Sequence, residues 1–204
     1  MEILFNTFVV LFIVIDPIGI APIFIALTRN ESKIYQRRMA IRGTAVAAVI
    51  LLIFFFVGDH LLTVLSIGIP AFRIAGGALL FLLAIDMIFA RHSGLRSTTV
   101  EEQHEAARKH DVSVFPLAFP LIAGPGALTT VLLMAASWSS PGIFFGMLAI
   151  LVTVLGLALL SLLGAPAILR VLGETGTNVI SRVLGLLLAA LAVQFVIDGI
   201  KAAF

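Results

Sequence analysis

Asp16 is the one charged residue in an apolar run from Ile3 to Thr28, and it opens the segment Asp16-Pro17-Ile18-Gly19-Ile20-Ala21-Pro22. A carboxylate in such a place can hold an ammonium group, carry a proton or cap a helix. Charge at a bilayer centre costs about 2.5–3.5 kcal/mol even on the lenient scale, so an acid there marks a functional site by default. The nearby prolines have no amide hydrogen, so the carbonyls of Ile13 and Ile18 lose their usual helical donors. A second apolar run carries a matching interruption, Gly124-Pro125-Gly126, 108 residues later (125 minus 17). At each break the amides opening the next half-helix point along a dipole that favours an anion. Gly19, Gly124 and Gly126 let a small ligand approach the backbone, and Thr129 and Thr130 add hydroxyls after the second break. An acid for an ammonium group and two sets of amides for a carboxylate together suit a small zwitterion such as an amino acid.

These residues need a membrane to make sense of their surroundings. Of 204 residues, 61% are hydrophobic and 12% charged, with a mean hydropathy of +1.18. That balance leaves too little polar surface for a soluble domain. A net charge of +2 does not suit a nucleic-acid binder. Cysteine is absent, and His60, His92, His104 and His110 lack metal-ligand spacing, so neither cofactor nor metal is expected. Met1 to Asn6 carries no Lys or Arg, unlike the start of a cleaved signal peptide.

About 20 residues cross the hydrocarbon as a helix, and six segments qualify: 3–27, 39–58, 70–90, 114–137, 142–163 and 180–203. The segment from Glu31 to Met39 extends the second span, with Thr28 and Glu31 at capping-box spacing. Residues 61–69 read as an interfacial stretch or an extension of the third span. Between Arg91 and Val112 lies the one long polar loop, with a surface helix expected over Glu101 to Lys109. Eleven of the thirteen Lys and Arg residues fall in the first, third and fifth loops, leaving Arg73 and Lys201 on the other side. The positive-inside rule then puts both termini outside the cytoplasm.

The two breaks imply an internal repeat. Span three opens Arg73-Ile74-Ala75-Gly76 and span six opens Arg182-Val183-Leu184-Gly185, an offset of 109 (182 minus 73). Asp86 and Asp198 stand late in the same two spans. Two three-span halves, 1–95 and 113–204 joined by a cytoplasmic loop 96–112, must be inverted relative to each other. The expected fold is therefore an all-α membrane protein of two inverted three-helix repeats, with helices 1 and 4 discontinuous and the site where they meet. Asp86, Gln194 and Asp198 are candidates for coupling or gating. Their structural alternatives are an Asp198–Lys201 interfacial ion pair and an interhelical hydrogen bond from Gln194. Gly142 and Gly146 suit close packing of helices or of protomers in a homo-oligomer.

The segments Asp16-Pro17-Ile18-Gly19-Ile20-Ala21-Pro22-Ile23-Phe24 and Pro116-Leu117-Ala118-Phe119-Pro120-Leu121-Ile122-Ala123-Gly124-Pro125-Gly126-Ala127 resemble the MarC family of bacterial and archaeal inner-membrane proteins, over essentially the whole chain. That family is grouped with amino-acid exporters of the LysE type. The resemblance implies ion-driven transport of small neutral amino acids, glycine and alanine. Asp16, Pro17, Gly19 and Pro22 match the first motif and Gly124, Pro125 and Gly126 the second. With Thr129 they form the expected substrate site. The expected partners are the amino acid, membrane lipid and a coupling proton or sodium ion; no nucleic acid is expected. The alternative is a transporter of a drug, a lipid carrier or a cation at the same site. A cation would draw Asp16, Asp86 and Asp198 together. An enzyme is not expected, because Asp16 alone supplies no set of nucleophile, base and metal ligands.

Overall fold

The computed structural model describes residues 2–29, 31–89, 111–136 and 140–204, and every regular element among them is helical. Five helical stretches are long and apolar enough to cross a membrane, or six if one bent pair counts as a single span. The expected helix over Glu101–Lys109 lies outside the described residues.

The first span consists of α1 (Glu2–Ile15) and α2 (Ile20–Leu27). After it comes α3 (Lys33–Val64), 12 residues longer than the expected 39–58 (32 against 20). Its cap is Ser32, whose hydroxyl accepts from the Tyr35 amide at 3.2 Å, and not the expected Thr28/Glu31 pair. Thr28 instead closes α2, donating its hydroxyl to the Phe24 carbonyl at 2.8 Å, and its own carbonyl accepts from the Gln36 side chain at 3.0 Å. Residues 61–64 continue α3. The chain then turns through Ser66 (φ 55) into α4 (Ile69–Phe89), so of the 61–69 stretch only Ile69 belongs to the helix of the third span.

The bent pair follows. Ser113–Ile122 is wound with five-residue hydrogen bonds, Leu117 N–H to Val112 and Ala123 N–H to Ala118, and α5 (Pro125–Ala135) leaves it at 60°. The segment repeats itself: Phe115-Pro116 and Phe119-Pro120 are both cis, and both phenylalanines have extended backbone. Asp111 precedes it, accepting from the amide and hydroxyl of Ser113 and pairing with Arg42 on α3. The Ser113 bonds, aided by Arg42, hold the Asp111 carboxyl below its ordinary range. Then come α6 (Pro141–Leu163), capped by Ser140, and α7 (Ala165–Ala203). Position 173 interrupts α7 with φ 65, ψ 176, a left-handed conformation glycine adopts readily. The helical part beyond this interruption begins at Glu174, six residues before the expected 180 (180 minus 174).

Glycines record how the two halves meet. A Cβ at Gly77 would lie 2.7 Å from the Ala192 carbonyl oxygen, at Gly185 it would lie 2.7 Å from Met87 Cβ, and at Gly199 it would lie 3.0 Å from the Pro70 carbonyl oxygen. Numbers rise along α4 as they fall along α7, so this close seam is antiparallel. Elsewhere the pairs run parallel: Gly146 of α6 meets Leu4 and Ser161 meets Pro17, while Gly43 of α3 meets Leu117 and Gly58 meets Leu132.

Backbone-to-backbone packing at the α4–α7 seam leaves no room for side chains. Gly77→Leu should cost about 1–3 kcal/mol through overpacking, read as a lower unfolding midpoint of the purified protein. Gly156→Leu, where nothing stands within 4 Å, should leave the midpoint unchanged. Equal midpoints for the two variants would contradict the seam.

Candidate functional site

Pro17 cannot donate to Ile13 and disfavours α geometry at the residue before it, so α1 stops at Ile15. Asp16 adopts φ 46, a left-handed conformation that Asp tolerates better than most side chains. It is 1% exposed. One carboxylate oxygen, Oδ1, accepts from the Gly19 amide at 3.0 Å; the other, Oδ2, accepts from the Ser181 hydroxyl of α7, also at 3.0 Å. The Asp16 carbonyl accepts from the Ile20 amide at 3.2 Å. Ser161 of α6 donates its hydroxyl to the Pro17 carbonyl. Four elements thus converge on one tetrapeptide, and the cost of burying its polar groups is offset by named partners.

Gly19 is required at this point. A Cβ there would collide with Asp16 Oδ2 and press on the Ser181 hydroxyl. Pro22, by contrast, is the third residue of α2, within the first turn, where a missing amide costs no helical bond. The expectation that Pro22 would orphan the Ile18 carbonyl is corrected: that carbonyl accepts from the Ala21 amide at 3.3 Å. A larger correction follows. The amides of Gly19, Ile20 and Ala21 are all bound within the turn, so in this conformation they offer nothing to a substrate carboxylate.

At the second break Gly124 is extended (φ −71, ψ 175) and Pro125 takes the first helical position of α5, where its missing amide is harmless. Gly126 abuts three apolar side chains: a Cβ there would stand 2.9 Å from Leu83, 3.1 Å from Leu80 and 3.2 Å from Val14. Val14 is two residues before Asp16, so the two breaks adjoin. The space shared by Val14, Leu83, Pro120, Gly124, Pro125 and Gly126 amounts to about 10 Å³, room for one water and no more. The site is closed. Thr130 donates its hydroxyl back to the Gly126 carbonyl at 2.9 Å, and Thr129, buried, packs its methyl against Gly76 of α4.

The remaining candidates divide. Asp86 is buried on α4 beside Ala84 and Met87, which press on Gly185, one helical turn from Ser181. Asp198 lies seventeen residues past Ser181, about 25 Å along α7 at 1.5 Å per residue, and does not join Asp16. Its carboxylate accepts from the Gln194 side chain at 2.8 Å, not from Lys201. Gln194 is exposed and serves its own helix, not a neighbouring one. Among the described residues no three His, Cys, Asp or Glu gather as metal ligands. Ser161 and Ser181 are the site residues that sequence reasoning missed; a serine inside or beside an apolar span was their only signal.

If Ser181 holds the buried carboxylate, Asp16→Asn and Ser181→Ala should not act independently. A double-mutant cycle on unfolding free energy should give a coupling of about 1–2 kcal/mol, as for a hydrogen bond to a charged group. A coupling indistinguishable from zero would mean that the bond does not form.

Comparison with known proteins places the whole chain in one group. The profile described as MarC family integral membrane protein matches residues 1–204. The chain is 36% identical over 201 residues to the UPF0056 membrane protein YhcE of Escherichia coli, covering 98% of this chain and 93% of the relative. It is 37% identical over 200 residues to a UPF0056 membrane protein of Archaeoglobus fulgidus (96% and 91%), and 34% identical over 199 residues to the UPF0056 membrane protein YvbG of Bacillus subtilis (98% and 94%). No solved structure matches.

Proposed function

We propose that this chain, which belongs to the MarC family of integral membrane proteins, is a secondary transporter that moves glycine, alanine or similar small neutral amino acids by alternating access. The observation that carries the reading is Asp16: a fully buried carboxylate at a helix break, clasped by a hydroxyl from a helix of the other half. A purely structural cap needs only the Gly19 amide. The second oxygen, held by a hydroxyl from a distant helix, is suited to exchange that hydroxyl for an ammonium group.

The contacts between halves support two inverted repeats, 1–95 and 113–204. Span one meets span five at numbering differences of 142 (146 minus 4) and 144 (161 minus 17). Span two meets span four at 74 in both places (117 minus 43 and 132 minus 58). Exchanging halves at the 108-residue offset of the breaks turns 142 into 74 and 144 into 72, because each partner shifts by 108 in opposite senses. The antiparallel pairing of spans three and six is what inversion requires, although simple alternation of spans gives it too. Spans one and four then serve as the discontinuous helices, and both termini lie outside the cytoplasm.

In the closed state every donor at the first break is satisfied internally. Opening separates α7 from α2 and frees Asp16 Oδ2 for the substrate ammonium. It also parts Val14 from Gly126, giving the substrate carboxylate access to the amides that open α5. Val14, Leu83, Pro120 and Pro125 crowd the two glycines here, so a small side chain fits best. The drive is an ion gradient or downhill flow, and no chemical transformation is assigned. The dispersed acids speak against a cation as cargo, and the small size of the space speaks against a drug.

Purified wild-type protein in proteoliposomes should show counterflow of radiolabelled glycine and alanine. Asp16→Asn, which keeps the cap but loses the charge, should reduce it about 10–100-fold, the worth of a charged hydrogen bond. Absence of exchange by wild type would defeat the amino-acid assignment. Undiminished exchange by the variant under several ion gradients would remove Asp16 from the mechanism.

A further inference from the structure

We propose that the face of α3 bearing Arg37 and Arg38 binds the headgroup of an anionic phospholipid. The inference rests on length, charge and exposure, and is independent of the transport reading.

At 1.5 Å per residue the 32 residues of α3 span about 48 Å, some 18 Å more than the ~30 Å hydrocarbon layer. The uncharged stretch of the helix runs from Gly43 to Gly58, between Arg42 and Asp59. Arg42 therefore marks one edge of the apolar layer. Arg38 and Arg37 stand four and five residues beyond it, about 6–7.5 Å further out, at the depth of phosphate groups.

The same end of α3 carries an open cleft of about 470 Å³ lined by Ile34, Arg37, Arg38, Ile41 and Arg42. Arg42 is engaged by Asp111. Among the described residues Arg37 and Arg38 have no ion-pair partner, although Asp111 lies within electrostatic reach of Arg38 and Glu31 sits one turn and a half away. Ile34 is 82% exposed and Ile41 45%, an expensive display unless something apolar lies against them. Counting 100° per residue, Ile34, Arg38 and Ile41 share a helix face with Val49 and Phe56, which are also exposed. That face forms an apolar track below a pair of guanidinium groups. A phospholipid matches it end to end: acyl chains along Phe56, Val49 and Ile41, and the phosphate between Arg37 and Arg38. Juxtamembrane basic clusters favour anionic lipids over zwitterionic ones, since a neutral headgroup brings an ammonium beside the arginines.

The test is native mass spectrometry of the full chain in detergent with equimolar phosphatidylglycerol and phosphatidylcholine. Wild type should retain phosphatidylglycerol preferentially. Arg37→Gln/Arg38→Gln should lower that preference about tenfold or more. Arg37→Lys/Arg38→Lys should keep most of it, because the phosphate is recognised as charge, and Arg170→Gln should keep all of it. Both positions are exposed, so folding should survive, as an unchanged size-exclusion profile would confirm. A wild type without headgroup preference, or a Gln variant with undiminished preference, would overturn the proposal.

Discussion

Inside a bilayer a polar group has only the protein to bond with. Everything particular about this chain follows from breaking a helix under that constraint. Between Ile15 and Ile20 the first span leaves the helical ladder, and the exposed groups there include a carboxylate and a proline-flanked carbonyl. The turn satisfies part of the demand itself, through Gly19 and Ile20. The rest comes from Ser161 and Ser181, both in the second half of the chain. The first half thus cannot seal its own break. The glycine seam between α4 and α7 brings the second-half helices close enough to do it.

Much of this arrangement was legible in the residues. An acid followed by proline, a Gly-Pro-Gly in the matching run and glycines in the third and sixth spans are local signals, and each falls where a helix stops, bends or meets another backbone. What escaped was relational. No pattern in the sequence says that Ser181 faces Asp16, because their separation of 165 residues is set by tertiary packing. The Thr28–Glu31 spacing suited a cap as well as Ser32 did, and only the path of the turn chose between them. Asp198 and Lys201 were plausible partners at three residues, yet Gln194 at four residues lies better placed on the same face. The extent of α7 was hidden because a glycine with φ 65 can interrupt a helix without ending it.

The two breaks are alike in position and unlike in form. The first is a tight turn around a buried acid. The second is a pair of Phe-Pro corners leading to an extended glycine, where no acid and no hydroxyl from the other half bonds among the described residues. Such asymmetry fits a site with two chemically distinct ends. The end at Asp16 is a hydrogen-bonded carboxyl group; the end at Gly124 to Gly126 is bare backbone packed on Val14, Leu80 and Leu83. Self-satisfied donors and a space for a single water mean that any ligand must displace interactions the protein already makes.

The central claim is that this closed seam between the breaks opens to water and substrate, and the absence of natural cysteine makes it directly measurable. Val14, 3% exposed and facing Gly126, replaced by cysteine alone, should react with a water-soluble thiol reagent in membranes, and glycine or alanine should slow that reaction. A Val14→Cys protein that never reacts from either side, or reacts at a rate no amino acid alters, would contradict the account.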